Sequence, residues 1–130
     1  MKVIYVAHSM TDYKGNLNGL EALLSWLIKN NYKVIRPVYA LFSEFLVKQA
    51  LQSIKGADII IADITNQSHG VGFEIGYAYA LEKEIVTIAS DTSREKISRF
   101  ILGLFPDTIF YENNDDLLSK ISKRLTIIRA

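Results

Sequence analysis

Ser68, Gly70, Gly72 and Glu74 occupy alternate positions in "SHGVGFEIGYAYALEK" (68–83), where a glycine-punctuated loop runs into an apolar helical pattern. Glycines ahead of a helix leave backbone N–H groups open to a ligand, and the positive end of the helix dipole favours an anion there. A carboxylate is an odd occupant of such a place, and Glu74 is the only acidic residue between Asp63 and Glu82. With the helix expected over about 71–82, Glu74 falls in its first turn and shares a face with Ala78 and Leu81. Two readings follow. As a first-turn carboxylate it stabilises the helix through the dipole and caps N–H groups. As a carboxylate on a packed face, beside two glycines that clear its approach, it is a nucleophile in a partly dehydrated pocket.

The elements that must position this carboxylate are legible in the hydrophobic pattern. Short runs rich in β-branched residues lie at 2–7, 32–37, 57–63, 84–90 and 107–112. The first four carry consecutive apolar residues rather than strict alternation, as strands covered on both faces do. Amphipathic segments separate them, at 16–31, 43–56, about 71–82, 93–103 and 114–125. Gly56 terminates the second helix, and Asn114 or Asp115 is expected to cap the last. Alternating strands and helices predict an α/β three-layer sandwich: a five-stranded parallel sheet in the order 2-1-3-4-5, flavodoxin- or Rossmann-like, with helices on both faces. In that topology ligands bind beyond the carboxyl ends of strands 1 and 3, where the order reverses. The loops "AHSMTDYKGN" (7–16) and "DITNQSHGVG" (63–72) lie there, and the second carries Ser68 and its glycines.

Composition narrows the remaining classes. The 130 residues suit one domain over 1–130, and 49% are apolar, which predicts a soluble globular chain. A net charge of +1 argues against a nucleic-acid or membrane surface. The absence of cysteine excludes disulfides, thiolate metal sites and a cysteine nucleophile, and fits a cytoplasmic location. "MKVIYVAHSM" is too brief an apolar run for a signal peptide or membrane span and reads as a buried strand. His8 and His69 form no local ligand pattern, so no metal is expected.

The stretch "ADIIIADITNQSHGVGFEIGYAYALEKEIVTIAS" (57–90) resembles the core of the nucleoside 2-deoxyribosyltransferase superfamily, closest to its 2′-deoxynucleoside 5′-monophosphate N-glycosidase branch. "IYVAHS" (4–9) resembles that family's first strand and "KISRFILG" (96–103) a later helix. The resemblance implies N-glycosidic bond cleavage by a homodimer, as hydrolase or 2-deoxyribosyltransferase, on a small nucleotide or nucleoside and without a cofactor. Glu74 would attack C1′ through an oxocarbenium-like transition state, with Tyr5 orienting the carboxylate. Ser68 stands where free-nucleoside transferases carry aspartate and the monophosphate enzymes serine; a serine suits phosphate, whereas an aspartate would repel it. Ser9, Met10 and Thr11, with Gly70 and Gly72, would complete the phosphate cradle, and Ser98 would reach in from the partner subunit.

The chain also departs from the family's pattern. Ala50 stands in place of the aspartate that assists departure of the base, and Asp63 is the candidate to replace it, its alternative being a loop-capping carboxylate. Thr11 replaces a basic residue, with Lys14 nearest, and the histidine expected near the end of strand 2 is missing, with Arg36 close by. A nucleotide-binding module without catalysis and an NAD-cleaving glycohydrolase are therefore the alternatives. Phe73, Tyr77 and Tyr79 spread aromatics around the third helix, which independently points to a subunit interface.

Overall fold

Strand β1 (Val3–Ala7) is covered on both sides: Ile4 and Val6 enter one apolar cluster, Tyr5 and Ala7 the other. The computed structural model describes residues 1–9, 18–36 and 43–129. Around β1 it builds a five-stranded parallel sheet in the order β2-β1-β3-β4-β5, as the sequence pattern predicts. The other strands are β2 (Lys33–Ile35), β3 (Ile59–Asp63), β4 (Glu84–Ser90) and β5 (Ile109–Tyr111). All five residues of β3 are buried, which is why its run is apolar without alternation.

One face of the sheet packs against α1 (Asn18–Lys29) and α5 (Asn114–Arg129) through Leu23, Leu27, Leu117, Ile121 and Leu125. The other is covered by α2 (Ser43–Gly56) and α3 (His69–Ala80), whose Ile54, Val71, Ile75 and Ala78 meet Tyr5, Ile60 and Ala62. Truncating a core leucine such as Leu23 to alanine would cost about 2–5 kcal/mol. The β1–β3 pairing sets Tyr5 opposite Ile60 and Ala7 opposite Ala62, so both strands end at the switch point.

The structure redraws several element ends. The helix expected over 93–103 is broken: a 3₁₀ segment (Asp91–Lys96) is followed by extended Ile97 and a short α4 (Arg99–Leu104). Burial draws Ile97 into the core, and Ser98 restarts the helix by accepting the Ile101 amide at 3.4 Å. The cap of α5 is Asn113, whose Oδ1 accepts the Asp116 amide at 2.8 Å, rather than Asn114 or Asp115. On α2, Phe45 is 53% exposed, on the side of the helix away from buried Ile54. Leu46, Val47, Ala50 and Leu51 of that helix line a cavity, described next.

Candidate active site

Ser68 shapes the N-terminus of α3. Its backbone is extended and its hydroxyl accepts the Val71 amide at 3.3 Å, so the helix begins at His69. That is earlier than the pattern suggests and moves Glu74 out of the first turn into the second. The dipole-and-cap account of Glu74 thereby loses its geometric basis, because Ser68 does the capping. The Gly72 amide makes the first intrahelical bond, to the Ser68 carbonyl at 3.1 Å, and helix geometry leaves the His69 and Gly70 amides without an intrahelical acceptor. A Cβ on Gly70 would meet only Ser68 Oγ at 3.8 Å, and one on Gly72 nothing within 4 Å. Neither glycine has positive φ. The fold does not demand glycine at these positions; they leave an open backbone face.

Glu74 itself is buried, and its Oε2 accepts the hydroxyl proton of Tyr5 from the middle of β1. Burial pushes the Glu74 carboxyl above the usual glutamate range, and the Tyr5 hydrogen bond works in the opposite direction. The carboxylate lines a cavity of about 160 Å³. Tyr5, His8, Ser68 and Gly70 contribute to its wall, and Leu46, Val47, Ala50 and Leu51 of α2 close it with apolar surface. Ala50 faces the cavity, so the position where the resemblance calls for an aspartate is part of this wall and carries only a methyl group.

A second, larger groove of about 620 Å³ adjoins the first, sharing Ser68 and Val71 with it. Gly72 and Ser98 line this groove together with Asn66, Gln67 and His69, over a floor of Ile64, Ile75, Ile97 and Ile101. Ser98 thus lies beside Ser68 in its own chain without lining the Glu74 cavity. Ser9 is buried just past β1 but lines neither cavity. Met10 and Thr11 lie outside the described residues. Asp63 is buried at the end of β3, where its Oδ1 accepts the Thr65 amide at 2.9 Å, and it too lines neither cavity. The structure therefore brings together Glu74, Tyr5, Ser68 and Gly70, with Gly72 and Ser98 adjacent. His8 belongs with them; the sequence pattern treats it only as a possible metal ligand, and its position at the carboxyl end of a switch-point strand is the signal that points to the site. Among the described residues no group of three or more His, Asp or Glu side chains could hold a metal ion, and no helix is long and apolar enough to cross a membrane.

The model of the nucleoside 2-deoxyribosyltransferase family matches residues 16–119. The chain belongs to that family. Among curated relatives, the 5-hydroxymethyl-dUMP N-hydrolase of Rattus norvegicus is 37% identical over 60 residues, 46% of this chain and 37% of that protein. A Thermofilum pendens protein named "Putative 2'-deoxynucleoside 5'-phosphate N-hydrolase 1" is 23% identical over 134 residues, 94% of each chain. The chain thus matches about a third of the rat protein's length and nearly all of the other. Among solved structures, the CMP N-glycosidase of Clostridium botulinum superposes with a TM-score of 0.73 at 22% identity, over 93% of this chain and 98% of that one. At that identity the likeness speaks for the fold. This deoxyribosyltransferase-family member shares that overall fold, with its own sheet in the order 2-1-3-4-5.

Proposed function

We propose that the protein is an enzyme that cleaves the N-glycosidic bond of a 2′-deoxynucleoside 5′-monophosphate, with Glu74 as nucleophile and the whole chain acting as one catalytic domain. The observation that carries this reading is the buried Glu74 carboxylate, held by Tyr5 and opening onto a cavity whose rim is Ser68 and Gly70. The Glu74 carboxylate attacks C1′, the C1′–N bond breaks, and a covalent glycosyl ester forms; water or a second base then takes the sugar and frees the carboxylate. Tyr5 supports the ionised nucleophile against its own desolvation. The 5′-phosphate lies at the amino end of α3, on the Ser68 hydroxyl and the His69 and Gly70 amides. Ser68 in place of an acidic residue, and relatives named for nucleotide N-hydrolysis, support the monophosphate over the free nucleoside.

The test is release of free base from a panel of 2′-deoxynucleoside 5′-monophosphates and matching nucleosides, read by chromatography. Mass spectrometry of the quenched enzyme should find a deoxyribose 5-phosphate adduct on the peptide that contains Glu74. A Glu74→Gln protein that is folded and fully active would overturn the reading.

A further inference from the structure

We propose that His8 is the proton donor and acceptor of this site: it protonates the departing base and then deprotonates the water that releases the sugar. The inference rests on the glycosidic reading above and adds to it a residue that the sequence pattern does not assign. His8 follows β1 directly, is 2% exposed, and lines the same cavity as Glu74. Its Nδ1 lies 3.0 Å from the Ser9 carbonyl oxygen. A carbonyl only accepts, so Nδ1 carries a hydrogen in either charge state, and Nε2 is the nitrogen that gains and loses the second proton. The backbone thus fixes which ring nitrogen does proton chemistry.

The other polar side chains on the cavity wall have parts of their own in this reading. Tyr5 gives its proton to Glu74, the Ser68 hydroxyl accepts the Val71 amide and is assigned above to the phosphate, and Glu74 is the proposed nucleophile. The α2 wall is apolar, Ala50 included, and Asp63 lies outside the cavity on the Thr65 amide. His8 adds to this wall an imidazole, a group that can both give and take a proton at Nε2 while Nδ1 stays on the Ser9 carbonyl. The two steps balance. In the first, Glu74 bonds C1′, the C1′–N electron pair leaves with the base, and the base takes the Nε2 proton, leaving neutral imidazole. In the second, water attacks C1′, its proton goes to Nε2, and the ester bond breaks to restore the Glu74 carboxylate and imidazolium. One group alternating as acid and base is the arrangement of retaining glycosidases.

The test is a leaving-group series: 2′-deoxyuridine 5′-monophosphates carrying hydrogen, fluorine or nitro at base C5, whose bases need progressively less protonation. For an enzyme that releases purines the matching pair is 2′-deoxyguanosine 5′-monophosphate and its N7-methyl derivative, whose base departs neutral. His8→Asn keeps an N–H for the Ser9 carbonyl and removes the titrating nitrogen. It should lower kcat/KM, which reports the steps up to departure of the base, by about 10²–10⁴-fold on the poorest leaving group. The loss should shrink by at least about tenfold on the best leaving group, as expected when the missing acid contributes less. His8→Gln should behave likewise, and thermal melting identifies a variant that has not folded. A loss equal across the series, or no loss, overturns the role of His8 while leaving base release intact. The wild-type enzyme gives an independent reading: kcat/KM should vary little along the series, and a steep rise from hydrogen to nitro shows unaided departure and overturns the inference. Absence of base release from every nucleotide would instead overturn the glycosidic reading, and this inference with it.

Discussion

The Tyr5 hydroxyl on β1 donates to Glu74 Oε2 on α3, joining residues 69 apart in sequence inside the protein. Burial raises the Glu74 pKa and this bond lowers it, so Tyr5 holds ionisation closer to where the proposed nucleophilic role needs it. Replacing Tyr5 by phenylalanine removes the lowering contribution, and the acid limb of kcat/KM should move to higher pH. A hydrogen bond to a charged group contributes about 1.5–3 kcal/mol, so activity at neutral pH should fall roughly 10- to 100-fold. A pH–rate profile with an unmoved acid limb would show that Tyr5 does not act through Glu74.

Glu74→Gln should abolish base release and, at the same time, stabilise the fold. The folded pKa of Glu74 lies above its unfolded value, so the native state binds more protons in the window between them and wild-type stability falls as pH rises through it. The melting temperature of Glu74→Gln should therefore exceed that of wild type above the raised pKa. The difference should vanish below the ordinary glutamate range, where both side chains are neutral. Calorimetry across that pH window checks the sign; a Glu74→Gln protein less stable than wild type at neutral pH contradicts it.

The open amino end of α3 predicts a preference for 5′-monophosphates over the matching nucleosides. Backbone and hydroxyl hydrogen bonds to a charged phosphate, at about 1.5–3 kcal/mol each, give at least about a tenfold difference in affinity. Ser68→Asp keeps a good N-cap and places a negative charge at the proposed phosphate position, so it should reverse the preference with little loss of stability. Isothermal titration with both ligand classes decides it; an unchanged preference in Ser68→Asp would move the phosphate elsewhere.

Exposed aromatics predict assembly. Phe73 is 59%, Tyr79 56% and Phe100 76% exposed, and Phe73 stacks on Tyr77 with ring centroids 6.4 Å apart. Such surface on α3 and α4 is suited to a two-fold interface, in which Ser98 would approach the partner's phosphate site. Sedimentation at micromolar concentration should give a dimer. Phe100→Glu should dissociate it, and activity should fall with it if Ser98 is shared between sites. A wild-type monomer ends the shared-site proposal and leaves the chemistry of one chain unaffected.

Much of this molecule was legible in its residue order because the deciding forces are local. Strand β4 and helix α2 begin and end where the pattern places them, and the sheet order follows from alternating periodicities joined by right-handed crossovers. Glu74 was identifiable as the residue of interest because a lone carboxylate on an apolar helical face beside glycines conflicts with its surroundings. Local reading failed where a residue's partner lay far along the chain. The helix through Ser98 broke because the core takes Ile97. The Tyr5–Glu74 bond, the placing of His8 and Ala50 on one wall, and the removal of Asp63 from it are set by how β1, α2 and α3 pack around the switch point. Sequence periodicity fixes which face of an element is apolar. Which side chains meet across two such faces depends on register and helix placement, and these are long-range properties of the packed fold.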